Sequence, residues 1–294
     1  MVGAAPSPSP TPRSSSSASS SAWLERFRVG SLPTVYYVPD FVSATEEAAL
    51  VQEVQGAPVA KWKTLKNRRL QNWGGVVHEK GLISQPIPVW LSSVTEKITK
   101  ETNLFPAPIN HVLVNEYMPG QGITSHQDGP VYDPVVAILS LGAPTLMHFT
   151  PHTRLTETNK AEKSHEEAQT KEGEKEHRAE STCSLVLMPG SLLVFKDSAY
   201  TDYLHGIDEA YEDLLDDKVM NLDAYRLHER RKDGKQAENI AVKRTDRETG
   251  KRTDRETGSG KGIGSEKDFL RRTGTRVSLT CRHVPKVYKN LLRL

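Results

Sequence analysis

The chain predicts a mostly β, α+β fold: an antiparallel sandwich or jelly roll with helices on one side. Three observations carry that expectation. Short apolar or alternating runs of strand length recur at 35–38, 134–141, 145–149, 183–188, 191–195 and 276–282. Turn residues separate them, most clearly Pro189-Gly190, the pair a type II turn prefers at its centre. The β-α-β rhythm of a parallel sheet is missing, because the two clearest helical stretches both precede residue 103 and do not alternate with the later strands.

The chain opens on a Ser-, Pro- and Ala-rich stretch. Residues 1–30 read as a disordered tail, and its first 22 positions hold a single charge, Arg13. An organellar transit peptide would share the serines but carry more arginine. Residues 31–294 read as one domain, interrupted by polar insertions at 152–182 and 224–272 that have no apolar face to pack. Val35 to Val38 is the first strand. Ser43-x-x-Glu46 ahead of Leu50 and Val54 is a capping box, so a helix starts there.

Residues 61–79 gather Lys61, Lys63, Lys66, Arg68 and Arg69, which suit phosphates. Trp62 and Trp73 stand among them, and their rings suit either base stacking or core packing. Pro86 to Thr102 reads as a second helix, with Ile87, Trp90, Leu91, Val94 and Ile98 as its core stripe. The runs 134–141 and 145–149 read as one hairpin, and 183–188 with 191–195 as another turned by Pro189-Gly190. Ile207 to Asp223 is acidic and amphipathic. Inside the second insertion the octapeptide KRTDRETG occurs at 243–250 and again at 251–258. Two copies make a low-complexity expansion, too short for a solenoid. His152, His165 and His177 read as solvated, since nothing orients them.

Composition excludes several classes. The net charge of +2 comes from 39 basic and 37 acidic residues, so bulk charge does not announce nucleic acid and any basic surface must be local. Cys183 and Cys281 fit neither a disulfide framework nor a structural zinc site, and the chain reads as intracellular and reduced. No run approaches the ~18 apolar residues that cross a bilayer, so no membrane partner is expected. A monomer is expected.

The chemistry concentrates in residues 111–128, HVLVNEYMPGQGITSHQD. His126 and Asp128 are two apart, which in extended backbone places imidazole and carboxylate on one side. Two His and one carboxylate form the facial set that holds iron(II) with open positions opposite. The best third ligand is His205, carried into Gly206 by the run after the strand at 191–195. Further on, Arg276 to Arg282 reads RVSLTCR, so Arg276, Ser278, Thr280 and Arg282 share one strand face and Val277, Leu279 and Cys281 the other. Arginines on a solvated strand face need no partner, but arginines facing inward must meet anions, and one dicarboxylate such as 2-oxoglutarate would satisfy both. Asn115 and Tyr117 share a face just upstream of His126.

The order Asn115-x-Tyr117-x-x-Gly120, His126-x-Asp128, His205-Gly206, Arg276 and Arg282 resembles the AlkB family of iron(II)- and 2-oxoglutarate-dependent dioxygenases. The wording NEYMPGQGITSHQDGP, AILSLG and GTRVSLTCRHVP is similar to its sixth-homologue branch, in the plant-type form, over residues 34–150 and 183–289. The resemblance implies a double-stranded β-helix core with iron(II) held by His126, Asp128 and His205. It implies 2-oxoglutarate and O2 as co-substrates, with Arg276 and Tyr117 on the distal carboxylate and Asn115 and Arg282 at the near end. Ser278 stands on the same strand, where many members carry Asn, and Thr201 stands where many carry Arg, four residues before the distal His.

In the family the region matching 61–79 is a nucleotide-recognition lid, and Arg69-x-Gln71-x-x-Gly74 is similar to lid wording. Trp62, Lys66, Arg68, Arg69, Gln71 and Trp73 are therefore the expected substrate contacts. The implied reaction is oxidative demethylation of N-alkylated bases in RNA or DNA, on single strands or flipped bases, in cytoplasm and nucleus. The alternatives are a nucleic-acid binder with little turnover and an oxygenase of protein or lipid.

Overall fold

The computed structural model describes residues 23–32, 34–155, 182–230 and 268–289. Sixteen strands occur among them. In chain order they are β1 (Val35–Val38), β2 (Lys63–Leu65), β3 (Arg68–Trp73), β4 (Gly75–His78), β5 (Gly81–Ser84), β6 (His111–Tyr117), β7 (Ile123–His126) and β8 (Val135–Gly142). There follow β9 (Thr145–Pro151), β10 (Cys183–Leu187), β11 (Leu192–Lys196), β12 (Tyr203–Ile207), β13 (Glu212–Leu215), β14 (Asp268–Arg271), β15 (Arg276–Arg282) and β16 (Val287–Tyr288). A large antiparallel sheet runs β1-β11-β8-β15-β6-β3-β2, and a small one runs β10-β9-β12-β7. They pack face to face as a jelly roll, the double-stranded β-helix expected from the resemblance.

Two apolar clusters explain the layers. Between the sheets, Val35, Tyr37, Val136, Ile138, Leu193 and Phe195 of the large sheet meet Met147, Phe149, Leu185, Leu187 and Tyr203 of the small one. On the far face of the large sheet, Val112, Val114, Leu139, Val194, Val277 and Leu279 pack with α1 (Ala44–Gln55) and α2 (Val89–Thr102). The central strands β8 and β15 are consequently buried along nearly their whole length. The capping box forms as expected: Glu46 N–H donates to Ser43 Oγ at 3.2 Å and Ser43 N–H to Glu46 Oε2 at 2.8 Å. Helix α2 starts at Val89 rather than Pro86, with Pro88 as its N-cap and Asn103 in the left-handed region behind it. A proline disfavours helical backbone in the residue before it, so the pair Pro86 and Pro88 delays the start.

The two expected hairpins are corrected. β8 pairs with β11 and β15 in the large sheet, whereas β9 pairs with β10 and β12 in the small one. The chain thus changes sheet between β8 and β9, and again between β10 and β11. The Pro189-Gly190 turn is present, with Gly190 at φ 76° and Ser191 N–H donating to Met188 O at 3.1 Å, but it joins two sheets. Local turn chemistry is the same in both cases. Long-range pairing decides between them.

The expected disordered segments are also trimmed. Leu24 is buried and Trp23 and Phe27 pack on the helix-side cluster, so these residues of the expected tail join the fold. Residues 222–230 are helical, and β14 pairs with β13. Arg272 then forms a buried ion pair with Asp213, its Nε donating at 2.7 Å. Apolar and paired side chains at the insertion edges give those residues something to pack against. Residues 1–22, most of both insertions, the KRTDRETG copies, His165 and His177 lie outside the described residues.

Candidate active site

β7 and β12 are neighbours in the small sheet, and their register places His205 directly opposite His126. The two ring centroids are 4.4 Å apart. Asp128, two residues past the end of β7, completes a set whose donor atoms lie within 4.8 Å of one another. His126 Nδ1 donates to the Thr124 carbonyl at 2.9 Å, which leaves its Nε2 lone pair for a ligand. Gly206 makes the close pairing possible: a Cβ there would come 2.8 Å from the backbone nitrogen of Ser125, and the β12–β7 register shifts beside it.

Electrostatics put each group in its ligating form. Burial pushes His205 down to about 3 and also lowers His126, so both rings are neutral. Burial alone would raise the Asp128 carboxyl, but the Arg282 guanidinium overcomes it and holds it below the usual range. Two neutral imidazoles and one carboxylate are the donor set of non-haem iron(II) sites, so these residues fit that metal.

Arg282 makes a two-pronged ion pair with Asp128, Nε to Oδ2 at 2.8 Å and a terminal nitrogen to Oδ1 at 2.6 Å. This corrects the expectation that one dicarboxylate would satisfy both inward arginines. Arg282 is satisfied by the protein, and its guanidinium also lies 4.8 Å over the Tyr132 ring. Arg276 has no such acid among the described residues. It is 3% exposed, donates to Ser140 Oγ at 3.3 Å, and its Nε has no partner among the described residues. Burial lowers it to about 10. Its guanidinium lies 5.5 Å over the Tyr117 ring, its cross-strand neighbour. Ser278 faces Asn115 in the same register, and all four residues line a cavity of about 480 Å³ with the His126, Asp128 and His205 set. A buried, unpaired guanidinium in a cavity is the complement of a carboxylate.

The basic segment divides by strand alternation. Of the adjacent Arg68 and Arg69, only Arg68 lines the cavity, donating from Nε to Asn115 Oδ1 at 3.2 Å. Arg69 lies on the opposite face, paired at 2.5 Å with Glu116 and 4.0 Å over the Trp62 ring. Gln71 and Trp73 share that face. Gln71 is 0% exposed, donates to Val54 O at 2.9 Å and accepts from Trp73 Nε1 at 2.8 Å. Trp73 packs edge-on to Trp90, and both Trp62 and Trp73 rest on the helix-side core. The expected substrate contacts Trp62, Arg69, Gln71 and Trp73 are therefore corrected: alternation along β3 turns Arg69, Gln71 and Trp73 away from the cavity, and Trp62, just before β2, packs on the helix-side core beneath Arg69. Lys66 is exposed at the β2–β3 tip, outside the cavity lining, and Asn67 beside it donates to Glu209 in the loop after β12.

One cavity residue, Tyr132, and one residue packed behind it, His111, are not among those the sequence singles out. Tyr132 lines the cavity from the loop after Asp128, and nothing in its local sequence distinguishes it. His111 did carry a signal, since alternation along β6 puts it on the face of Leu113, Asn115 and Tyr117. It is buried against Tyr132, with ring centroids 5.7 Å apart, and neither ring nitrogen has a partner among the described residues. Burial pushes it down to about 4, so it is a neutral ring.

Residues 57–282 match the family described as the 2OG-Fe(II) oxygenase superfamily. The chain is 38% identical over 267 residues to a Danio rerio protein named "Probable RNA/DNA demethylase ALKBH6", covering 90% of this chain and 92% of the relative. It is 28% identical to an Arabidopsis thaliana "Alkylated DNA repair protein ALKBH8 homolog", over 67% of this chain and 57% of that one. A solved structure titled "The structure of OsALKBH1" superposes with a TM-score of 0.48 at 13% identity, covering 87% of this chain and 99% of the other, a likeness too loose to bear on function. The extent of the first two matches, over a chain whose His126, Asp128 and His205 converge beside an unpaired arginine, makes this protein a member of the AlkB family of iron(II)- and 2-oxoglutarate-dependent dioxygenases.

Proposed function

We propose that this dioxygenase oxidatively demethylates N-alkylated bases in RNA or DNA. The observation that carries the reading is the β2–β3 hairpin at the cavity mouth, with Lys66 exposed at its tip and Arg68 reaching the cavity wall. The name of the Danio rerio relative supports the same reading. When bound, iron(II) with 2-oxoglutarate and O2 supplies oxidation of a C–H bond, coupled to conversion of the keto acid to succinate and CO2.

The chain's own residues hold and orient. Arg276 would hold the distal carboxylate of 2-oxoglutarate with Tyr117 beside it, Asn115 would orient the near end, and Ser278 lines the same cavity wall. Arg282 acts at one remove, by fixing the direction in which Asp128 presents its oxygens. His126 is held by Thr124 and His205 by burial, so neither ring needs to reorganise to ligate. A hydroxylated N-methyl group releases formaldehyde and leaves the bare nitrogen. The base must leave its stack to enter the cavity, which favours single strands or flipped bases. Lys66 meets the phosphate backbone. A nucleic-acid substrate supports a proposed location in cytoplasm and nucleus.

The test pairs the intact protein with His126→Ala in iron(II), 2-oxoglutarate and digestible pools of cellular RNA and DNA, quantifying succinate and every methylated nucleoside. The expected result is the fall of at least one methylated nucleoside with the intact site alone. Succinate without any nucleoside change would move the substrate to protein or lipid. If neither changes, the protein is a binder with little turnover.

A further inference from the structure

The charge inside the cavity is one-sided. Among the described residues its lining holds three guanidinium groups, Arg68, Arg276 and Arg282, and a single carboxylate, Asp128. Asp128 is committed to Arg282, so the charges of Arg68 and Arg276 remain. Iron(II) and doubly ionised 2-oxoglutarate would cancel each other, and the loaded cavity would keep that positive surplus. Arg276 lies deep in the large sheet. Arg68 enters from the hairpin at the mouth, where its charge bears on Tyr117 on one side and His126 on the other. Nε of Arg68 is taken by Asn115, while its two terminal nitrogens have no partner among the described residues. Guanidinium carries N–H donors and no acceptor.

Such a group discriminates between base edges. Uracil and thymine offer a carbonyl oxygen on each side of the alkylated nitrogen and guanine offers one, whereas adenine offers only an amino donor there; cytosine offers one of each, so it is set apart by charge. Methylation sharpens the contrast. N1-methylated adenine and N3-methylated cytosine are cations near neutral pH, while N3-methylated uracil and N1-methylated guanine are neutral. A cavity with surplus positive charge, a donor-only side chain at its mouth and no free carboxylate in its lining opposes the first pair and suits the second.

We propose that Arg68 is a specificity residue that donates to a carbonyl oxygen of the substrate base, so that the enzyme prefers neutral N-methylated keto bases over cationic N-methylated amino bases. The inference rests on the demethylase reading and narrows its substrate class. A site built to hydrogen-bond one group rejects analogues lacking it, because its own polar atoms are left unpaired.

The experiment uses the full chain and single-stranded RNA oligonucleotides that differ at one position: uridine, 3-methyluridine, 1-methylguanosine, 1-methyladenosine or 3-methylcytidine. Binding is read by competition anisotropy at fixed salt, and turnover by formaldehyde and succinate, for the intact protein, Arg68→Gln and Arg68→Lys. The keto-base oligonucleotides should compete roughly tenfold or more better than the amino-base ones, since a hydrogen bond to a charged group is worth about that factor. Arg68→Gln should collapse the ratio, and Arg68→Lys should restore part of it. The inference is overturned if 1-methyladenosine or 3-methylcytidine is bound and demethylated at least as well, which leaves the demethylase reading standing. It is equally overturned if Arg68→Gln raises the 2-oxoglutarate requirement with the base ranking intact, because Arg68 then serves the co-substrate. Succinate formation with no oligonucleotide distinguished or consumed removes the demethylase reading and this inference together.

Discussion

Arg276 and Arg282 sit on one face of one strand, and their surroundings give them opposite roles. Arg282 is neutralised by Asp128, with both side chains close to 5% exposed. Truncating it leaves a buried carboxylate unpaired, so Arg282→Met should cost about 3–5 kcal/mol of stability. A denaturant midpoint indistinguishable from the parent's would show that water solvates Asp128 there. Arg276 is already unpaired among protein acids, so its removal costs binding instead. Arg276→Ala should raise the 2-oxoglutarate concentration for half-maximal succinate formation by roughly tenfold to hundredfold. Lysine at that position should recover only part of the loss, because an ammonium cannot copy the planar two-donor fork. An unchanged requirement would remove Arg276 from the co-substrate site.

At the scale of elements, the hairpin of β2 and β3 and the pair β7 and β12 do different work. The hairpin is the outer edge of the large sheet, and its alternation sends Arg68 inward while Arg69, Gln71 and Trp73 anchor it to α1 and the core. Trp73→Ala should therefore destabilise the fold, by up to about 3 kcal/mol because the ring is only half-buried. It should leave the salt dependence of nucleic-acid binding alone. Lys66→Ala should do the reverse, weakening binding on all sequences and reducing the slope of log affinity against log salt by about one. Binding titrations at several salt concentrations separate the two variants. On β12, a side chain at Gly206 meets the backbone of β7. Gly206→Val should push the strands apart and lower metal affinity in a direct titration, with circular dichroism little changed.

The whole molecule is a clamp made of two sheets. The small sheet supplies the metal ligands through β7 and β12, the large sheet supplies the co-substrate face through β6 and β15, and Arg282 ties one to the other through Asp128. Ligands that bind only this assembled arrangement must stabilise it. Metal with 2-oxoglutarate at a hundredfold excess over each dissociation constant should add about 2.7 kcal/mol per ligand. Calorimetry should show a raised melting temperature that a chelator reverses, and a flat response would show the ligands binding outside the clamp.

Features whose causes lie within a few residues are legible in the amino-acid order alone. The Ser43 and Glu46 capping box, the Pro189-Gly190 turn, the face shared by Arg276, Ser278, Thr280 and Arg282, and the His126-x-Asp128 spacing all follow from local backbone geometry. The resemblance supports His205 as the third member of the set, and the β7–β12 register delivers it. Three matters are decided by distant parts of the chain. The turns after β8 and β10 cross between sheets because each strand finds a more distant partner. Arg69 turns to Glu116 and away from the cavity because β3 docks beside β6 in one register. Arg282 meets Asp128 from 154 residues away. Hydrogen-bond and side-chain periodicities are short-ranged and written in adjacent residues. Which buried charge meets which, and which face of a strand turns inward, depends on the pairing of distant segments around a common core, and that pairing is a property of the folded whole.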